Sequence, residues 1–151
     1  MSNTISINDN VTVSGQPTAD ELKQLPQKGF QSVINFRTNG EEDQPISPFE
    51  EGQIAQECGL KYHHIPVSMK SMTPEVVDAF REAYQQMPKP VFAHCKSGKR
   101  AGAMVMMHMA VQNGMTGDQT LEKAEAMGFE CDKPELRDFV KQYVDSHQRV
   151  S

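Results

Sequence analysis

Four short stretches rich in apolar and β-branched residues, each followed by helix-start signals, leave few folds open to this chain. Val11-Thr12-Val13, Ser32-Val33-Ile34-Asn35-Phe36-Arg37, Tyr62-His63-His64-Ile65-Pro66-Val67 and Val91-Phe92-Ala93 read as strands. Thr18-Ala19-Asp20-Glu21 is a capping box, and the helix behind it is expected to stop at Gly29. Ser47-Pro48-Phe49-Glu50 is a second box with proline at the first helical position; its helix should end near Cys58-Gly59. Thr73-Pro74 opens a third helix, whose Val76, Val77, Phe80, Tyr84 and Met87 recur at helical spacing. A fourth helix-like run starts near Ala101 and carries Met104, Val105, Met107 and Val111. Thr116-Gly117-Asp118-Gln119 caps a fifth, and Pro134 starts a sixth. Such alternation implies parallel βαβ units. The expected fold is α/β: a single domain over residues 1–151, with a core about 7–146. Its central, mostly parallel sheet should hold about four to five strands flanked by helices. In open α/β sheets, ligands bind beyond the carboxyl ends of the strands. The loops after Arg37 and Val67 and the loop at Cys95 are therefore expected to meet.

His94-Cys95-Lys96-Ser97-Gly98-Lys99-Arg100 lies between the last strand and the fourth helix. A cysteine at a strand end, a short glycine-containing loop and an arginine at a helix start form an anion cradle with a nucleophile inside it. Backbone N–H groups of such a loop converge on one point, and the helix terminus adds partial positive charge. Environments of this kind lower a cysteine pKa from about 8.5 to roughly 3.5–7.5. Lys96, Lys99 and Arg100 supply cations beside it. Arg37, at a strand end, is either a second anion contact or a salt-bridged surface residue.

The remaining composition narrows the function classes. Net charge is −5 over 151 residues, which argues against nucleic acid or an anionic membrane as partner and makes the basic cluster a local exception. The start of the chain has no basic, apolar leader, and the longest nearly apolar run, 101–111, is too short for a bilayer. Three cysteines, Cys58, Cys95 and Cys131, cannot all pair internally and read as thiols of a reducing, cytoplasmic compartment. No CxxC pair or zinc-like His/Cys spacing occurs, so no metal and no cofactor is expected. Adjacent His63 and His64 are poorly placed to share a ligand and read as structural. Cys58 and the methionines 104–109 read as packing; Cys131 reads as a packing residue or, nearer Cys95, a resolving thiol.

The cysteine loop resembles the active-site loop of cysteine-dependent phosphatases of the tyrosine/dual-specificity superfamily. Val13-Ser14-Gly15-Gln16-Pro17, Val33-Ile34-Asn35-Phe36-Arg37 with Gly40-Glu41-Glu42, and Tyr62-His63-His64-Ile65-Pro66-Val67 extend the likeness. Together they resemble one bacterial branch, the phosphatase-like domain of the beta-lactamase-hydrolase-like protein family. That domain is found fused to, or encoded beside, metallo-β-lactamase-fold persulfide dioxygenases. The resemblance implies a tyrosine-phosphatase-like fold, Cys95 as nucleophile and Arg100 as clamp on the bound anion. It implies amides of Lys96, Ser97, Gly98 and Lys99 as the cradle, and His94 as the residue that orients the loop and helps hold the thiolate. It also implies a persulfide dioxygenase as a partner.

Two departures bear on the chemistry. The tyrosine-phosphatase pattern has five residues between cysteine and arginine, then Ser or Thr; here four intervene and Ala101 follows. The shorter loop encloses less space, whereas a phosphoryl group needs room for three equatorial oxygens and an in-line leaving group. Rhodanese-type sulfurtransferases resemble this chain in having such a shortened loop. Second, the segment Ser68-Met69-Lys70-Ser71-Met72 holds no carboxylate where such phosphatases carry an acid. Asp43, Glu42 or Glu41 would have to reach in from another loop, or else form a solvated acidic turn. General acid catalysis is worth about 10²–10⁴-fold. Sulfur transfer needs no such acid, because its leaving group is already a stable anion. The leading expectation is sulfane-sulfur transfer from thiosulfate or a persulfide to a small thiol acceptor. Phosphomonoester hydrolysis is the alternative, and a non-catalytic anion-binding module the third.

Overall fold

The computed structural model describes residues 4–38, 44–68, 72–96, 98–127 and 134–147. Five strands are present there: β1 (Ile5–Asn8), β2 (Val11–Ser14), β3 (Ser32–Asn35), β4 (Lys61–His64) and β5 (Val91–His94). They form one sheet in the order β1-β2-β5-β3-β4. The four strands read from the sequence are mutually parallel, and β1 pairs antiparallel with β2. β1 escaped the sequence reading. Its Ile5-Ser6-Ile7 alternation is only one repeat long. The Asn8 side chain, which accepts from the Asn10 and Val11 amides at 2.8 and 3.1 Å, turns the chain into β2.

Six helices follow: α1 (Ala19–Gln24), α2 (Pro48–Glu57), α3 (Pro74–Gln86), α4 (Lys99–Asn113), α5 (Gly117–Met127) and α6 (Pro134–Ser146). The Thr18 and Thr116 boxes close reciprocally: each threonine hydroxyl accepts from the third helical amide, whose own side chain accepts from the cap N–H. At Ser47 the hydroxyl accepts from the Glu50 amide and donates to the Glu50 carboxylate, so the box is half made. α1 is shorter than expected because Pro26 lacks an N–H; a 3-10 turn (Pro26–Lys28) completes the approach to Gly29. The strand expected over 32–37 is regular only to Asn35, and that over 62–67 only to His64. Pro66 cannot donate, yet Ile65 and Val67 amides still reach the Asn35 and Phe36 carbonyls at 2.9 Å. α4 begins at Lys99, two residues before Ala101.

The sheet is covered on both faces. On one, α1 and α2 lay Leu22, Leu25 and Ala55 over Val33, Leu60 and Phe92. On the other, Val77 and Phe80 of α3, the methionines of α4, Ala124 of α5 and Leu136 and Val140 of α6 pack on Val11, Ile34 and Ala93. Met104, Met106 and Met107 are buried, which makes the methionine run core, as expected. Strand alternation fixes the functional geometry. Phe92 and His94 face α1 and α2, while Val91 and Ala93 face α4.

Candidate active site

At the carboxyl end of β5 the chain bends around the sulfur of Cys95, which is 1% exposed. The Gly98 amide donates to Cys95 Sγ at 3.1 Å and the Ala101 amide at 3.4 Å. Gly98 is the N-cap of α4 with φ 96°, a left-handed backbone that other residues adopt only with strain. The loop is tied to the β2 end by Cys95 N–H to the Ser14 carbonyl and Gln16 N–H to the Lys96 carbonyl, both at 3.3 Å. The sulfur thus sits at the amino end of a 15-residue helix with two amides aimed at it. Arg100 is half-buried, and its Nη1 donates to the Val67 carbonyl at 2.8 Å, bringing the loop after β4 to the site. Lys96 and Lys99 lie exposed at the rim. Ser97, Asp43, Glu42, Glu41, Gly40 and Cys131 lie outside the described residues.

Behind the loop is a buried polar chain. His94 and Glu51 are both fully buried, and His94 Nε2 lies 2.6 Å from Glu51 Oε2. Glu51 Oε1 accepts from Gln16 Nε2 at 3.0 Å, and Gln16 Oε1 accepts from Arg37 Nη1 at 2.8 Å. The Tyr62 hydroxyl accepts from Asn35 Nδ2 at 3.1 Å. Burial, then the charge of Glu51, pushes the Tyr62 hydroxyl well above its ordinary pKa. Arg37 is therefore no surface residue: its side chain is completely buried, held by Gln16, and its carbonyl accepts from His64 Nε2. Burial lowers the His63 pKa. Cys58 is half-buried against the smaller core cluster, a packing position. Among the described residues no group of three His, Cys, Asp or Glu side chains could hold a metal, and no helix is long and apolar enough to cross a membrane.

Glu51 was invisible as a functional residue in sequence, where Glu50-Glu51 reads as the acidic first turn of α2. The available signal was its neighbour. At Gly52 an added Cβ would stand 3.0 Å from the Tyr62 ring, so glycine there lets that ring pack against α2 beside Glu51.

Residues 4–112 match the family described as "Beta-lactamase hydrolase-like protein, phosphatase-like domain". The chain belongs to this family. A beta-lactamase hydrolase-like protein of Xylella fastidiosa strain Temecula1 is 32% identical over 126 residues, a match covering 83% of this chain and 29% of that protein. The chain thus spans under a third of the curated relatives it matches. Among solved structures, a DUF442 protein from Shewanella putrefaciens CN-32 superposes with TM-score 0.80 at 23% identity, covering 97% of this chain and 93% of the other. TpbA of P. aeruginosa superposes with TM-score 0.76 at 19% identity, covering 97% and 88%. These likenesses establish a tyrosine-phosphatase-like fold for the phosphatase-like domain.

Proposed function

We propose that the protein is a cysteine-dependent sulfurtransferase on the phosphatase-like fold, moving sulfane sulfur from thiosulfate or a persulfide to a thiol. The observation that carries this reading is what faces the sulfur. Gly98 and Ala101 bring backbone amides to Sγ, and position 101, where related phosphatases place a hydroxyl, brings an amide alone. In related phosphatases that hydroxyl helps expel the cysteine thiolate, while a carboxylate from a neighbouring loop protonates the leaving alkoxide; the sulfur reading requires neither. The Cys95 thiolate attacks the outer sulfur of thiosulfate, the S–S bond breaks and its electron pair leaves with sulfite. Cys95 is left as a persulfide anion. An incoming thiolate then attacks the terminal sulfur, forming a new persulfide and returning the Cys95 thiolate. Arg100 clamps the anion, and Lys96, Ser97 and Lys99 complete the cradle.

Phosphomonoester hydrolysis is the second reading, favoured by one specific point: TpbA, of like fold, has been seen in complex with phosphotyrosine. It would require Asp43, Glu42 or Glu41 as acid. A persulfide dioxygenase is the proposed partner, consuming the persulfide product, and the proposed compartment is the cytoplasm.

The test is intact mass after thiosulfate treatment. A gain of one sulfur, lost in Cys95→Ser, is expected. No gain, together with aryl-phosphate turnover that depends on Cys95 and Arg100, would reverse the assignment.

A further inference from the structure

We propose that Glu51 is a positioning residue for Cys95, acting through His94; this rests on the reading that Cys95 is the nucleophile. Hydrogen-bond polarity carries the inference. An arginine only donates, so the Gln16 carbonyl oxygen must face Arg37. The Gln16 nitrogen then faces Glu51 and the Pro17 carbonyl, both at 3.0 Å, which uses both its protons. The Tyr62 oxygen accepts from Asn35 Nδ2 at 3.1 Å and lies near enough to Glu51 to feel its charge. His94 Nε2 lies 2.6 Å from Glu51 Oε2. Gln16 donates to this buried carboxylate from one side, and His94, in the tautomer with its proton on Nε2, does so from the other.

The 2.6 Å contact fixes the orientation of the buried His94 ring, and with it the start of the loop that aims amides at Sγ. The ring stands one residue from Cys95. Among the described residues, His94 Nδ1 is the buried side-chain polar atom without a hydrogen-bond partner. No bond at Nδ1 therefore shares in placing the ring, and the contact with Glu51 sets it. The charged and titratable groups around the ring are Glu51 from α2, Tyr62 from β4 and Arg37 from the β3 end, the last two through Glu51 and Gln16. Arg100, Lys96 and Lys99 lie on the loop beyond Cys95.

The experiment is the rate of Cys95 alkylation by iodoacetamide against pH, with Cys58→Ser and Cys131→Ser as background. Glu51→Gln keeps the shape of the side chain and removes its charge. Its midpoint should rise by about one pH unit, some tenfold less thiolate at a given lower pH. In a His94→Asn background, Glu51→Gln should add nothing further, because the two act in series. Should Glu51→Gln fail to fold, Gln16→Met, which removes one donor from the carboxylate, should shift the midpoint the same way by less. An unchanged or lowered midpoint, or a full additional shift in the His94→Asn background, overturns the role of Glu51 and leaves the nucleophile standing. A wild-type Cys95 that never alkylates removes the nucleophile reading itself.

Discussion

Gly98 and Arg100 show how single residues set the site. Gly98 at φ 96° has ordinary van der Waals room for a Cβ, 3.6 Å from the Ser14 carbonyl carbon, so its requirement is conformational. A left-handed backbone costs an L-residue about 1–2 kcal/mol. Gly98→Ala is expected to lose about that much in urea unfolding and to slow Cys95 alkylation, since the Gly98 amide turns from the sulfur. Unchanged stability and reactivity would show that the loop tolerates another course. Arg100→Lys keeps the charge and loses the planar fork. About tenfold or greater loss of thiosulfate reactivity is expected, in line with about 1.5–3 kcal/mol for a charged hydrogen bond. Cys95, Arg100 and Gly98 were legible in sequence because a six-residue loop places them by local chain geometry. Arg37 was marked by its place at a strand end but its burial was not, and Glu51 was missed altogether, because their partners lie on other elements and burial of a charge leaves no local mark.

At the scale of elements, the helix starts were legible because caps are local hydrogen bonds. The α3–α4–α6 junction was not. There Arg81 Nε donates to His108 Nδ1 and Arg81 Nη1 to the Tyr143 hydroxyl, both at 3.2 Å, and that hydroxyl donates to Asp78. Burial, with help from Arg81 and Lys89, drops the His108 pKa from 6.5 to about 4. A depressed histidine is neutral in the fold while the unfolded chain takes up a proton. The protein should therefore lose stability as pH falls from 6.5 toward 4, with no further loss from this group below that. His108→Gln, which can still accept from Arg81, should flatten that stretch of a urea-midpoint titration; an identical slope would exclude His108 as its source. At the α5–α6 contact, a Cβ on Gly117 would lie 2.7 Å from Lys141 Cγ and 2.8 Å from its Cα. Backbone meets backbone there, so Gly117→Ala should cost about 1–3 kcal/mol by overpacking. A urea midpoint equal to wild type would show that the two helices can separate freely.

Across the whole molecule, strand alternation gave the class and the parallel sheet, but the order β1-β2-β5-β3-β4 depends on pairings far apart in sequence. That order puts β5 in the middle and makes the ends of β2 and β3 its neighbours, which is why Gln16, Arg37 and His94 share one buried chain. Of the expected meeting of loops, the described residues show Arg100 reaching the Val67 carbonyl and the Phe36 amide reaching the His94 carbonyl at 2.9 Å, while most of the loop after Arg37 and part of that after Val67 lie outside them. Electrostatically, a basic rim sits on a chain of net charge −5. The Debye length falls from about 10 Å at 0.1 M salt to about 3 Å at 1 M. The distant acidic surface is already screened at the lower value, so the higher one chiefly removes attraction by Lys96, Lys99 and Arg100. Reaction of Cys95 with thiosulfate should slow over that range while alkylation by neutral iodoacetamide does not. Equal salt dependence of both would mean the rim does not attract the anion.

The central claim is that the loop and helix start after Cys95 aim the Gly98 and Ala101 amides at one reactive sulfur that receives another. A crystal soaked in thiosulfate examines it atom by atom. The expected density shows one added sulfur bonded to Cys95 Sγ at about 2.05 Å, ringed by the Gly98 and Ala101 amides and faced by Arg100. A bare Cys95 with an intact oxyanion resting against Arg100, or amides turned away from the sulfur, would contradict it.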